Sequence, residues 1–349
     1  MPTATIDEQG TRIYFVDTGS VFGSGNYTTL IMYHGTGFNS ATFKKLIPLA
    51  PNKNMRLVLV NRRNYRGSTP YSNTDLENIA LGRKAILEQM ALDASGFLNW
   101  FLDHHDLPRM SKDGKSGGIC LLGWSMGTAT TLAFLGQPDL VGKQTYARLE
   151  PYLRRLVNYD SPSHALGFGF PPQAYLPVLG LTERDTSEEL NAFPYWVGTH
   201  YTHPGDIATN DFLALDSQSQ RGVRPHTETL SEAELEDMIE PGSARNDIGI
   251  AFYGDILIYL QEQANKALFD EYYAKTILPR LKVIHFVCLE TLWVPLHALM
   301  QVRKRRERLI KEGKVIRPYG IVELPNESHF AHWEAPEKFF SKLVEALAI

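Results

Sequence analysis

Cysteine is scarce in this chain: Cys120 and Cys288 are the only 2 among 349 residues. Both lie in apolar, strand-like runs, so a disulfide framework is excluded and buried thiols in a reducing compartment are expected. Long apolar stretches are missing as well. No run approaches the roughly 18 residues that a membrane-spanning helix needs, and the opening MPTATIDEQGTRIYF has no apolar leader core. The closing EALAI is not a peroxisomal address. Nor is there an excess of one charge. With 35 Lys and Arg against 39 Asp and Glu, the net charge is −4, which gives neither a nucleic-acid nor an anionic-membrane footprint. The strongest basic run, RKRRERLIKEGK at 303–314, is interleaved with glutamates and reads as a solvated helix face. Repeats and low-complexity tracts are absent. The expectation is a soluble, cytoplasmic protein with no membrane span and no nucleic-acid partner; its oligomeric state is left open.

What the chain does have is apolar material in short blocks. Hydrophobic residues make up 43%, enough for a sizeable core. TRIYFVDTG (11–19), TTLIMYHG (28–35), MRLVLVNRR (55–63), GGICLLGWS (117–125) and RRLVNYDSP (154–162) read as strands. Their apolarity is near-continuous, not alternating, as in parallel strands covered on both faces. Helical patterns lie between them. In 83–105, Ile86, Met90, Leu92, Phe97, Leu98, Phe101 and Leu102 approximate one face. Strand–helix alternation implies an α/β sheet. The rhythm breaks at 163–280, where a Pro/Gly-rich stretch is followed by a polar region with a capped helix start at LSEAE. This region reads as a mostly helical insertion. The strands resume at LKVIHFVCLE (281–290) and GIVELPNESHF (320–330), and the amphipathic APEKFFSKLVEALA closes the chain. The core is thus 1–162 with 281–349.

The stretch CLLGWSMGTAT (120–130) carries the first chemistry. A G-x-S-x-G pattern between a buried strand and a helix is a nucleophile elbow: a sharp, strained turn that lifts the serine hydroxyl out of the sheet edge. Gly123 and Gly127 permit the close approach of strand and helix that the turn requires. The pattern alone also arises in ordinary glycine turns; GICLL before it and MGTATTLAFLG after it favour the elbow. Ser125 is therefore the candidate nucleophile. The next amide, Met126, stands at a helix N-terminus, where unpaired N–H groups favour negative charge.

Three further segments fall at compatible places. YHGTGFNS (33–40) ends a strand in a turn whose Thr36 or Gly37 amide would face the same oxyanion. NRRNYRGSTPY (61–71) reads as an architectural turn. NESHFAHWEAPEKF (326–339) follows the last strand and offers His329 as general base, with His332 as the competing histidine.

In that order, HGTG, NYRGS, GWSMG and SHFAHWEAPEKF resemble the oxyanion turn, post-strand segment, elbow and terminal histidine segment of the α/β-hydrolase fold superfamily. The resemblance implies a mostly parallel central sheet flanked by helices, with a helical cap at 163–280. The family's histidine segment usually has glycine where this chain has Ser328. Glu334 and Pro336 stand at the family's offsets from His329, which assigns the catalytic place to His329 and not to His332. For the acid the family usually has an aspartate after its seventh strand, and here that place is Thr291, preceded by Glu290. Other members, the zearalenone lactonases among them, carry the acid after the sixth strand in a short acid-x-Pro turn, which Asp160-Ser161-Pro162 resembles. Asp160 is preferred and Glu290 is the alternative.

The expected activity is hydrolysis of a small, apolar carboxylic ester or lactone through an acyl-enzyme, with no metal or organic cofactor. C–C bond hydrolysis and hydroxynitrile-lyase chemistry use the same groups, and a non-catalytic ligand receptor is the reading of a different class. A serine nucleophile argues against epoxide-hydrolase and dehalogenase chemistry, which in this fold generally use aspartate. Phe168, Phe170, Tyr175, Trp196, His200, Tyr201 and His203 in the insertion suggest an apolar pocket between cap and core. Of these Trp196, His200, Tyr201 and His203, with Trp124 of the elbow, are the substrate-binding candidates.

Overall fold

The computed structural model describes residues 2–176, 193–219, 222–223 and 229–349. Eight strands among them form one sheet in the order β1-β2-β4-β3-β5-β6-β7-β8. β1 (Thr3–Thr5) and β2 (Arg12–Asp17) join antiparallel. β3 (Thr28–Tyr33), β4 (Met55–Val60), β5 (Ile119–Trp124), β6 (Leu153–Tyr159), β7 (Lys282–Cys288) and β8 (Tyr319–Leu324) run parallel. Every residue of β3, β4, β5 and β6 is buried, which accounts for their unbroken apolarity: helices cover both sheet faces and no position looks out to water. β1 was not expected. It is three residues long and polar, too short to register as a strand by pattern, and it exists by pairing with Arg12–Tyr14.

One apolar layer lies between the sheet and helices Ala85–His104 and Gly127–Gly136; the other packs against Ser40–Leu49, Trp293–Lys311 and Pro336–Leu347. In Ala85–His104 the buried stripe runs through Ile86, Met90, Ala94, Phe97, Leu98 and Phe101, whereas Leu92 is 40% exposed. Leu92 lies two residues from both Met90 and Ala94, about 200° around the helix from each, which turns it outward. The basic run at 303–314 also departs from expectation. Arg303 pairs with Glu323, and the guanidiniums of Arg305 and Arg306 stand 4.5 and 4.7 Å from the Phe269 and Tyr319 rings. Two of its seven cations are thus packed against aromatic faces, the flat guanidinium stacking as a lysine would not, while most of the run is solvated.

Between β6 and β7 the described residues form short helices, including Glu232–Met238, Pro241–Phe252 and Ile256–Ala264. The first is closed by a capping box of Ser231 and Glu234, the mechanism read from LSEAE. Ile256–Ala264 lies on Gly127–Gly136, with Gln263 Nε2 donating to the Ala129 carbonyl at 3.0 Å. This segment therefore rests directly on the helix that follows Ser125. The tail of the Pro/Gly-rich stretch, 177–181, lies outside the described residues.

Candidate active site

Ser125 follows β5 and precedes Gly127–Gly136 with φ +52°. A non-glycine residue in the left-handed region costs on the order of 1 kcal/mol or more and persists only where its surroundings impose it. The surroundings here are tight. A Cβ at Gly123 would stand 2.6 Å from the Gly127 carbonyl oxygen, and one at Gly35 would stand 2.8 Å from Ser125 Cβ. The Ser125 amide donates to the Tyr159 carbonyl of β6 at 2.9 Å, which ties the elbow to the neighbouring strand.

Two backbone donors belong to residues beside the serine. Among the described residues, the amides of Met126 and Thr36 have no hydrogen-bond partner, and both residues line the same cavity as Ser125. Gly37 departs from expectation. Its amide donates to Tyr65 Oη at 2.9 Å, so it is engaged elsewhere, and Thr36 is the turn residue with a free N–H.

His329 stands in the loop after β8, with its Nδ1 2.9 Å from Asp160 Oδ2. Both side chains are almost fully enclosed. Asp160 ends β6 with φ +45°. Its other carboxylate oxygen accepts the Cys288 amide at 2.7 Å, and its own amide donates to the Phe286 carbonyl at 2.8 Å. Glu290 goes elsewhere: its carboxylate lies 2.7 Å from His200 Nδ1. Thr291, in the place where the family usually has aspartate, puts Oγ1 3.4 Å from His329 Nδ1. His332 is held between Thr42 Oγ1 at 2.9 Å and the Tyr159 hydroxyl at 3.1 Å, inside the core. Ser328 bonds the Glu334 carboxylate and accepts the Phe330 amide at 3.1 Å. The side chain that replaces glycine there braces the histidine loop.

Ser125, His329, Thr36 and Met126 open into one cavity, about 490 Å³ of atom-free space counting its mouth. Its walls are mainly apolar, with Leu176, Phe193, Trp196, Val197, Ile248 and Phe252 among them. Of the proposed substrate contacts, only Trp196 is on this wall. Trp124 is core, its Nε1 donating to the His329 carbonyl at 3.1 Å. His200 links Glu290 and Glu334, the Tyr201 hydroxyl donates to the Trp196 carbonyl at 2.8 Å, and His203 Nε2 lies 2.9 Å from the Thr291 carbonyl. Tyr201 finds its partner within the insertion, whereas His200 and His203 tie it to residues after β7 and β8, which residue type alone does not reveal.

Two polar wall residues were not anticipated. His164 packs between Phe170 and Phe252, and burial lowers its pKa to about 3, so it is a neutral imidazole. Asp247 pairs with Arg62. The available signal was Arg62 itself: an arginine directly after an apolar strand needs acceptors nearby, and a carboxylate is one of them.

A family model described as "Alpha/beta hydrolase family" matches residues 30–342. No curated protein sequence matches the chain. Among solved structures, an esterase from Exiguobacterium antarcticum is 16% identical with a TM-score of 0.55, covering 100% of both chains. A putative aryl esterase from Burkholderia cenocepacia is 14% identical at 0.53, covering 99% of this chain and 97% of the other. A bromoperoxidase from Bacillus anthracis is 12% identical at 0.52, with coverage of 99% and 97%. At these identities the likeness is one of fold.

Proposed function

The chain belongs to the alpha/beta hydrolase family, and from that premise we propose that it is a serine hydrolase cleaving small, neutral, apolar carboxylic esters or lactones. The observation that carries the reading is the 2.9 Å contact between His329 Nδ1 and Asp160 Oδ2, beside a serine held at φ +52° on the same cavity wall as the histidine. Ser125 Oγ attacks the carbonyl carbon while His329 Nε2 takes its proton. Asp160 accepts the Nδ1 proton, fixing the tautomer and stabilising the imidazolium. The Met126 and Thr36 amides bind the oxyanion. His329 then protonates the departing alcohol, and a water deprotonated by His329 releases the acyl group.

The apolar wall selects for uncharged substrate, since the one carboxylate among its described residues, Asp247, is already paired with Arg62. Residues 163–280 act in this reading as the cap, contributing Trp196, Ile248 and Phe252 to the wall. Both cysteines are buried and free, as a cytoplasmic location would keep them. No helix among the described residues is long and apolar enough to cross a membrane.

The test is covalent labelling by a fluorophosphonate probe, together with turnover of aryl esters of graded acyl length and of a macrolactone. Labelling confined to Ser125, with hydrolysis lost by about 10⁴-fold or more in Ser125→Ala, is the expected result. Unimpaired hydrolysis by Ser125→Ala would sink the proposal. Binding of the esters without turnover would leave a receptor.

A further inference from the structure

We infer that Arg62, Tyr65 and Asp247 are positioning residues that aim the Thr36 N–H at the oxyanion, an inference that rests on the reading above. The geometry runs through one peptide unit. The Gly35 carbonyl and the Thr36 N–H belong to the same trans peptide, so they point in opposite directions within one plane. Whatever grips the carbonyl therefore sets the direction of the N–H. Arg62 Nη2 donates to the Gly35 oxygen at 2.9 Å, and Arg62 Nε donates to the His34 oxygen at 3.1 Å. The next peptide is held as well, the Gly37 amide donating to Tyr65 Oη at 2.9 Å. Both peptide units flanking the Thr36 Cα are thus fixed, and Thr36 is left facing the cavity.

His34 adds to the same grip. Its Nε2 accepts the Arg62 amide at 3.0 Å, so Nδ1 carries the proton and donates to the Gly35 oxygen at 2.9 Å. Burial and the Arg62 charge hold the His34 pKa well below its ordinary value, which keeps that tautomer neutral. The Gly35 oxygen therefore receives two donors, one cationic. Hydrogen bonds in a chain polarise one another, so a peptide loaded this way presents a stronger N–H donor at its other edge.

Asp247 makes the arrangement possible. Its carboxylate takes both Arg62 terminal nitrogens, Nη1 at 3.0 Å, and accepts the Tyr65 hydroxyl at 2.5 Å. The Arg62 and Asp247 side chains are only 4% and 2% exposed, so neither charge has water to fall back on. Burial opposes the Arg62 charge, but Asp247 together with Tyr65 and Tyr71 outweighs it and raises the pKa further above its usual range. Arg62 also neutralises a carboxylate that would otherwise stand on the wall of a site developing negative charge. Asp247 lies on Pro241–Phe252. That helix starts one residue after Glu240, whose amide donates to the Gly37 carbonyl at 2.8 Å. The same segment thus holds the turn at two points.

The decisive variant is the double substitution Arg62→Met with Asp247→Leu. It removes both buried charges together and keeps the volume, a change that buried ion pairs often tolerate without loss of stability. On the active enzyme, kcat for an aryl ester should fall about 30- to 100-fold, near the lower end for loss of an oxyanion donor. KM should stay within about 3-fold, because the grip matters when the oxyanion forms and not in ground-state binding. Affinity for a boronic acid, which forms an anionic tetrahedral adduct on Ser125, should fall by a similar factor. A purely structural pair would lower the melting temperature and move neither ratio. If the double variant cannot be isolated folded, Arg62→Lys decides by the same criteria, since it retains the charge beside Asp247 and loses the fork onto Gly35. A folded variant whose kcat and boronate affinity stay within 3-fold of the parent overturns the inference. A parent enzyme that neither labels nor turns over esters overturns the serine-hydrolase reading instead.

Discussion

Asp160 reaches His329 from a backbone conformation that aspartate tolerates better than most residues, φ +45° at the end of a buried strand. The Cys288 amide on one carboxylate oxygen and His329 on the other hold it in a single orientation. Replacing it with Asn should lower kcat by about three to four orders of magnitude, because the amide cannot accept the Nδ1 proton and balance an imidazolium at once. Glu290→Gln should cost far less, as Glu290 serves His200. Steady-state kinetics of the two variants on one activated ester decides between them, and a severe loss confined to Glu290→Gln would reverse the assignment. The two histidines separate similarly. His329→Ala should match the Ser125→Ala loss, whereas His332→Ala should act through stability, by emptying a buried site bonded to Thr42 and Tyr159. What was legible here is instructive. The turn shape of Asp160-Ser161-Pro162 and the offsets around His329 are local and could be read from sequence. That Gly37 gives its amide to Tyr65, and that Arg62 and Asp247 meet across 185 positions, are long-range contacts. Sequence spacing carries no distance of that kind.

Elements were readable to the extent that burial shaped them. β3 to β7 announced themselves by continuous apolarity, while β1 has no such pattern because pairing with β2, not burial of an apolar face, defines it. Helix Ala85–His104 was legible by its period, but it hides a charge that the period does not reveal. Asp93 is nearly enclosed, with Gln89 Nε2 donating to it at 2.9 Å and Arg63 no closer than 3.9 Å. Burial pushes its pKa up to about 6, against the pull of Gln89 and Arg63. A carboxyl raised in the folded state binds its proton more tightly there than in the unfolded chain. Stability therefore falls as pH rises from about 4 through 6 and stays lowered above that, by on the order of 3 kcal/mol. Asp93→Asn keeps the contact with Gln89 and removes the titration. Its melting temperature should exceed the parent's at pH 8, by an amount that shrinks towards pH 4.5. Equal melting temperatures at pH 8 would show that Arg63 compensates the charge in full.

At the scale of the whole molecule, the sheet stands between two apolar layers that also enclose neutral histidines. Burial lowers the pKa of His164 and of His285 to about 3, with Arg303 contributing at His285, and that of His297 to about 4. Each takes up a proton near pH 6.5 once the chain unfolds. The unfolded state therefore binds more protons than the folded state below about pH 6.5, and stability declines as the pH falls from there towards 3 to 4. The slope is opposite in sign to that of Asp93, so the two effects partly cancel around pH 5 and only variants separate them. His285 is the cleanest probe. It lies on β7 between β6 and β8, opposite Asn158 of one and Ile321 of the other. Neither ring nitrogen has a hydrogen-bond partner among the described residues, and its ring stacks on Tyr319 at 6.2 Å. His285→Phe keeps an aromatic ring on Tyr319 and removes two buried polar atoms that no described residue satisfies, so the variant should be at least as stable as the parent at pH 7. Between pH 6.5 and 4.5 its stability should fall less steeply, by up to one proton's worth, about 1.4 kcal/mol per pH unit. Urea unfolding at pH 7, 6 and 5 measures the slope directly. A slope equal to the parent's would mean that His285 is protonated inside the fold, with water or a shifted Arg303 accommodating the charge.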